Sequence, residues 1–198
     1  MIIKRLFDLI VSSLGIILLA PIFIIVVILI KLDSVGSVFF LQERVGLEGM
    51  PFKIIKFRTM IDNAEQKGKQ ITVGKDFRIT RVGSVLRKYK IDELPQLFNV
   101  FLGEMSLVGP RPEVPRYVME YTEYEKKIIL SVLPGITDNA SINFYDENEM
   151  LGRSENPEET YIKEILPIKI NYYIQYVKNQ NFWSDLKIII KTIFAIIR

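Results

Sequence analysis

The 198-residue sequence is 49% hydrophobic and 25% charged, with 9 Pro and 11 Gly, which excludes a disordered chain and suits one folded domain with a small appendage. It contains no Cys and no His, so disulfides, thiolate or imidazole metal sites, cysteine nucleophiles and Ser-His pairs are excluded. The net charge of +3 conceals an asymmetry: Lys53 to Lys90 holds 11 Lys and Arg against 3 Asp and Glu, whereas Ile91 to Glu164 holds 6 against 15. Such halves either face each other and solvent, or pair an anion-binding segment with a carboxylate-rich one.

Leu9 to Ile30 is an apolar run of 22 residues whose only polar side chains are Ser12 and Ser13. As a helix it would be roughly 33 Å long, the hydrocarbon thickness of a bilayer. The run is too long for a secretory signal, and Lys31-Leu32-Asp33 is a poor cleavage site. Pro21, near its middle, predicts a kink or break into two half-helices. Lys4, Arg5 and Lys31 put positive charge on both flanks, so charge does not orient the segment. A hairpin that enters and leaves one leaflet satisfies both flanks. The physics of broken helices in lipid favours a single kinked span.

Phe39 to Gly46 reads as an extended stretch and turn, and Phe52 to Phe57 as a strand, together a hairpin. Met60 to Glu65 could start a helix capped by Asp62, followed by a flexible polar loop from Lys67 to Gly74. Thr80 to Tyr89 reads as a short basic helix. Leu94, Leu97, Phe98, Phe101 and Leu102 have helical spacing, with Pro95 early and Gly103 at the end. Gly109-Pro110-Arg111-Pro112 predicts a rigid corner holding Arg111 out. Tyr117 to Val132 reads as one helix ended by Leu133-Pro134-Gly135, and Phe144 to Pro157 as an acidic loop. Ile165 to Val177 carries apolar residues on more than one face. Ser184-Asp185 predicts the cap of a last helix, either interfacial in a membrane or packed on the core.

Asp92 and Glu93 are adjacent at a predicted helix start. Alone, they read as a cap and a first-turn acid. Beside Arg87, Lys88, Lys90 and a proline-locked Arg111, they also supply a nucleophile, a ligand for a hard cation such as Mg²⁺, and phosphate clamps. Phosphoryl transfer needs little else. Lys56 and Arg58 add alternate cations to the same strand face. No G-x-x-x-x-G-K-[ST] or G-x-G-x-x-G motif is present, which counts against a P-loop ATPase or a dinucleotide enzyme.

The ordered segments Gln42 to Gly46, Lys56 to Met60, Leu86-Arg87, Asp92 to Val100, Gly103 to Pro112 and Pro134 to Thr137, behind a proline-centred apolar run, resemble the monotopic phosphoglycosyl transferases of bacteria over nearly the whole chain. The chain looks like their small form, the catalytic unit alone. The resemblance implies an α+β, predominantly helical fold: a proline-broken re-entrant membrane helix over residues 1–35, with Pro21 at its turn, and a catalytic domain over 36–198. That domain carries a small β-hairpin and interfacial amphipathic helices, and works at the cytoplasmic face of the bacterial inner membrane. The implied reaction moves a sugar 1-phosphate from a nucleoside-diphosphate sugar, usually a UDP-sugar, to polyprenyl (undecaprenyl) phosphate with release of UMP, an opening membrane step of glycoconjugate assembly. Asp92 would form a covalent phosphoglycosyl intermediate and Glu93 would bind Mg²⁺. Lys56, Arg58, Arg87 and Arg111 would clamp phosphates, with Pro110 and Pro112 fixing Arg111. Membrane lipid is an implied partner, nucleic acid is not, and a homodimer is left open.

The sequence departs from the family pattern at Leu133, where an Arg is common; at Lys90, where a small hydroxyl residue is common; and at Asp138 to Asp146, which replaces a Gly- and Gln-containing continuation. The last of these bears on nucleotide and sugar recognition. Two alternatives share the residues: a membrane-bound nucleotide-sugar pyrophosphatase, and a non-catalytic anchor binding anionic lipid through Lys53 to Lys90.

Overall fold

The structure, a computed structural model, describes residues 2–62, 64 and 76–197. Helix α1 (Ile2–Asp33) contains Pro21 in its interior and is continuous across it, so the proline does not divide it into two helices as expected. It is long and apolar enough to cross a membrane. One face is bare, with Ile3, Leu6, Ile10, Leu14, Ile17, Leu18 and Ile25 exposed.

The other face runs along the rest of the chain. Near its start, both oxygens of buried Asp8 accept from the Ser106 hydroxyl and the Leu107 N–H, and Lys4 donates to the Val108 carbonyl and Asp185. At mid-length a side chain in place of Gly15 would press on Leu97. Near the end, Val26 and Ile30 are buried with Phe57 and Leu86. The Asp33 carboxylate accepts from the Val82 N–H. Both ends of α1 therefore dock on one body.

Strands β1 (Phe39–Val45) and β2 (Pro51–Phe57) form the expected antiparallel hairpin, with Phe40 opposite Lys56. Met60 bridges Ile79, Asp62 lies in a turn and Ala64 in a 3-10 turn; residues 63 and 65 of the expected helix and the expected loop from 67 to 74 lie outside the described residues. Helix α2 (Arg81–Lys88) starts at Thr80, whose hydroxyl accepts from the Gly83 N–H. A 3-10 turn (Ile91–Glu93) leads into α3 (Gln96–Leu102), closed by Gly103 in the left-handed region.

Two three-residue strands, β3 (Ser106–Val108) and β4 (Gly135–Thr137), pair in parallel, which the sequence did not suggest. Between them the single helix expected over Tyr117 to Val132 is two, α4 (Pro115–Val118) and α5 (Glu123–Ile129). Thr122 and Glu125 form a capping box that restarts the chain as a new helix. After β4 come α6 (Asn139–Asn143), α7 (Glu147–Gly152), inside the expected acidic loop, and α8 (Pro157–Thr160).

A π-turn (Tyr161–Ile165) opens into α9 (Leu166–Asn179), and α10 (Phe182–Ile197) ends the described chain. Asn181, not Ser184, caps α10 by accepting from the Ser184 N–H, while Asp185 is buried under Lys4 and Tyr176. Trp183, Ile193 and Phe194 stand out from α10.

Candidate active site

The Asp92–Glu93 pair is presented by a tight backbone path. Lys90, a non-glycine residue at φ 54, ψ 21, links the end of α2 to the 3-10 turn; such conformations cost about 1–3 kcal/mol and persist only where surroundings enforce them. Strand β2 brings Lys56 to the same place. Asn99 on α3 acts as a false strand against β2, accepting from the Ile55 N–H at 3.0 Å and donating to the Lys53 carbonyl at 2.8 Å. With β2 held to α3, the Lys56 ammonium reaches Oε1 of Glu93 at 2.7 Å.

Arg111 arrives from the β3–β4 unit. A Cβ on Gly135 would sit 2.1 Å from the Gly109 nitrogen, so the two glycines let these backbones touch. Gly135 donates to the Pro110 carbonyl and Gly109 to the Thr137 carbonyl. Arg44 secures the next carbonyl, that of Pro112, at 3.0 Å. From this corner Arg111 does not stand out freely as expected. It grips Glu93 with both terminal nitrogens, Nη1 to Oε2 at 3.1 Å and Nη2 to Oε1.

Burial pushes the Glu93 carboxyl up, but the charges and hydrogen bonds of Arg111 and Lys56 outweigh it and hold Glu93 well below the usual carboxylate range. Among the described residues Oδ1 of Asp92 is buried without a hydrogen bond, and burial raises the Asp92 pKa, opposed by the charge of Lys56 and more weakly by Arg87 and Lys90. Two adjacent carboxylates are thus driven apart: one is locked and ionised, the other has an uncommitted oxygen. Divergence of this kind separates roles in active sites.

The other expected residues sort by contact. Arg87 on α2 donates to the Thr59 hydroxyl at 2.8 Å, and α2 lies close because Gly83 packs on the Thr59 backbone. Arg58 goes elsewhere: its terminal nitrogens donate to the carbonyls of Ser34 and Val35 at 2.8 and 2.9 Å, beyond the end of α1. Pro110 and Pro112 are buried, their carbonyls spent on Gly135 and Arg44. The supports Arg44, Asn99 and Glu113 carry no assigned role in the sequence, although Arg44 and Asn99 stand in quoted segments. Glu113 accepts from the Tyr161 hydroxyl at 2.8 Å and lies 3.5 Å from buried Lys169.

The family model described as bacterial sugar transferase matches residues 1–198. The chain belongs to the bacterial sugar transferase family. It is 41% identical, over 98% of its length, to the UDP-N-acetylgalactosamine-undecaprenyl-phosphate N-acetylgalactosaminephosphotransferase of Aeromonas hydrophila. It is 40% identical over 98% to the UDP-glucose:undecaprenyl-phosphate glucose-1-phosphate transferase of Klebsiella pneumoniae. The chain spans 44% and 40% of those two proteins. It spans 86% of a shorter relative, the uncharacterized sugar transferase EpsL of Bacillus subtilis, at 39% identity.

Proposed function

We propose that this family member transfers a sugar 1-phosphate from a UDP-sugar to undecaprenyl phosphate, releasing UMP and forming undecaprenyl diphosphosugar. The observation that carries this reading is the unpartnered Oδ1 of Asp92 beside an ionised, doubly clamped Glu93. In the first step Oδ1 attacks the phosphorus that bears the sugar. The bond from that phosphorus to the bridging oxygen breaks, and UMP leaves with the electron pair. In the second, a phosphate oxygen of undecaprenyl phosphate attacks the same phosphorus, the acyl-phosphate P–O bond breaks, and the Asp92 carboxylate is restored. In this reading Arg87 and Lys56 neutralise the oxygens of the transferred phosphoryl group, while Arg111 holds Glu93 in register.

Mg²⁺ fits this pair. Among the described residues there is no cluster of three carboxylates to form a protein cage, but Mg²⁺ commonly takes one or two carboxylates and completes its shell with water and substrate phosphate. Oε1 of Glu93 is filled by Lys56 and Arg111, whereas Oε2 accepts one bond and keeps a lone pair. Glu93 would hold the ion, which supplies charge neutralisation on the donor diphosphate.

The docking of Lys4 and Asp33 on the same body supports a placement in which the two ends of α1 share one side of the bilayer, which in this reading is the cytoplasmic side. The bare face of α1 and the exposed Trp183, Ile193 and Phe194 of α10 enter lipid. Purified protein given UDP-glucose or UDP-N-acetylgalactosamine, undecaprenyl phosphate and Mg²⁺ tests the reaction: UMP and lipid-linked sugar appear in equal amounts. Sugar phosphate left in solution would mean hydrolysis instead.

A further inference from the structure

The segment after β4 reaches back to the turn that carries Asp92, through a single side chain. Helix α2 ends with the Tyr89 N–H on the Val85 carbonyl and the Lys90 N–H on the Arg87 carbonyl. The Lys88 carbonyl, one of the helix's orphan acceptors, takes the Tyr145 hydroxyl at 3.0 Å. The same tyrosine presents its ring to the Lys90 ammonium, 5.0 Å from the centroid. Among the described residues Lys90 forms no ion pair, so the aromatic face is its recorded partner.

These contacts fall just before a hinge and on it. Lys90 lies in a left-handed conformation that side-chain-bearing residues rarely adopt. Its carbonyl accepts the Glu93 N–H at 3.2 Å, which sets the pitch of the turn holding Asp92. Tyr145 grips the residue behind the hinge and the hinge residue itself. The strap's far end is firm: Asp138 caps α6 by accepting from the Ala140 and Ser141 N–H groups and the Ser141 hydroxyl.

We propose that Tyr145 and Lys90 are positioning residues for Asp92, strapping the segment that follows β4 onto the left-handed turn from which the nucleophile projects; this inference rests on the transfer reaction above. Tyr145 and Lys90 touch neither reacting atom. They hold the Asp92 carboxylate within attacking distance of the donor phosphorus, where displacement by an ångström is costly.

The test uses the full chain in nanodiscs with UDP-glucose, UDP-N-acetylgalactosamine, undecaprenyl phosphate and Mg²⁺. Tyr145→Leu and Lys90→Met each lower kcat by roughly tenfold or more, with donor KM changed less than about twofold. Lys90→Arg, which keeps the cation, recovers most of the loss, and Tyr145→Phe, which keeps the ring but not the hydroxyl's bond to the Lys88 carbonyl, recovers part of it. A kcat unchanged in both Tyr145→Leu and Lys90→Met, or a loss confined to KM, overturns the strap. Hydrogen exchange provides a readout independent of turnover: in Tyr145→Leu, amides 88–93 exchange faster while those of α5 do not. Equal exchange at 88–93 overturns the strap whether or not either donor reacts. Faster exchange there in a protein whose wild type turns over neither donor supports the strap and counts against the transfer reading.

Discussion

Arg111 embraces Glu93 with both arms of its guanidinium, and the carboxylate so held is the immediate neighbour of Asp92, whose Oδ1 has no hydrogen bond among the described residues. The pair is half-hidden, and Lys56 completes it from the opposite element at 2.7 Å. Removing one partner of such a cluster strands buried charge, which costs roughly 3–5 kcal/mol in fully buried cases. Arg111→Met therefore destabilises the protein by about 2–4 kcal/mol, less than a full burial would imply. It abolishes measurable transfer. Arg111→Lys keeps the charge but loses the two-pronged grip, and recovers stability better than turnover. Denaturant melts alongside UMP release check both halves.

Asn99 is a second support, bonded to β2 and to the Glu104 carboxylate rather than to Asp92 or Glu93. Asn99→Leu leaves the Ile55 N–H and the Lys53 carbonyl without their side-chain partners, at roughly 1–3 kcal/mol for each buried group left unpaired. The expected loss is about 2–5 kcal/mol, with Lys56 drifting from Glu93. Thermal unfolding gives the first quantity.

Acid stability depends on Glu113. Burial raises its pKa, but Lys169, Arg44 and the Tyr161 hydroxyl bring it below the ordinary 4.5. A carboxylate depressed in the folded state contributes stability that is fully present above the unfolded value and is lost as pH falls through the folded one. Glu113→Gln is therefore less stable than wild type at neutral pH, and the difference narrows below about pH 4.5. Parallel urea titrations at pH 7 and pH 3.5 show whether the gap closes.

The docking of both ends of α1 predicts one-sided topology. The sequence has no cysteine, so Lys4→Cys and Lys88→Cys can be labelled singly in intact and opened cells. Both react from the cytoplasmic side; reaction of Lys4→Cys from the outside alone would make α1 a span.

Long and local features were readable in the sequence. The apolar run of α1, the β1–β2 hairpin, the short basic helix α2 and the start and stop residues around α3 are visible because each pattern lies within a dozen or two neighbouring residues. What failed was short or distant. Strands β3 and β4 have three residues each, too few for alternation to register, and only their pairing explains the adjacent glycines. Glu93 stands among the sequence's candidates, but its partners Lys56 and Arg111 lie 37 and 18 residues away, so nothing in local spacing announces the clamp. Arg58 shares its strand pattern with Lys56, yet its guanidinium binds the Ser34 and Val35 carbonyls beyond the end of α1; periodicity places the backbone and does not say which ligand each cation finds.

The covalent step is the claim on which the account turns. Intact-protein mass spectrometry after mixing with UDP-glucose or UDP-N-acetylgalactosamine and Mg²⁺, with acceptor withheld, reads it directly. The account predicts one sugar phosphate per chain on wild type, discharged by undecaprenyl phosphate, and none on Asp92→Asn. A wild type that turns over without ever carrying the adduct, or an Asp92→Asn variant that still carries it, would contradict it.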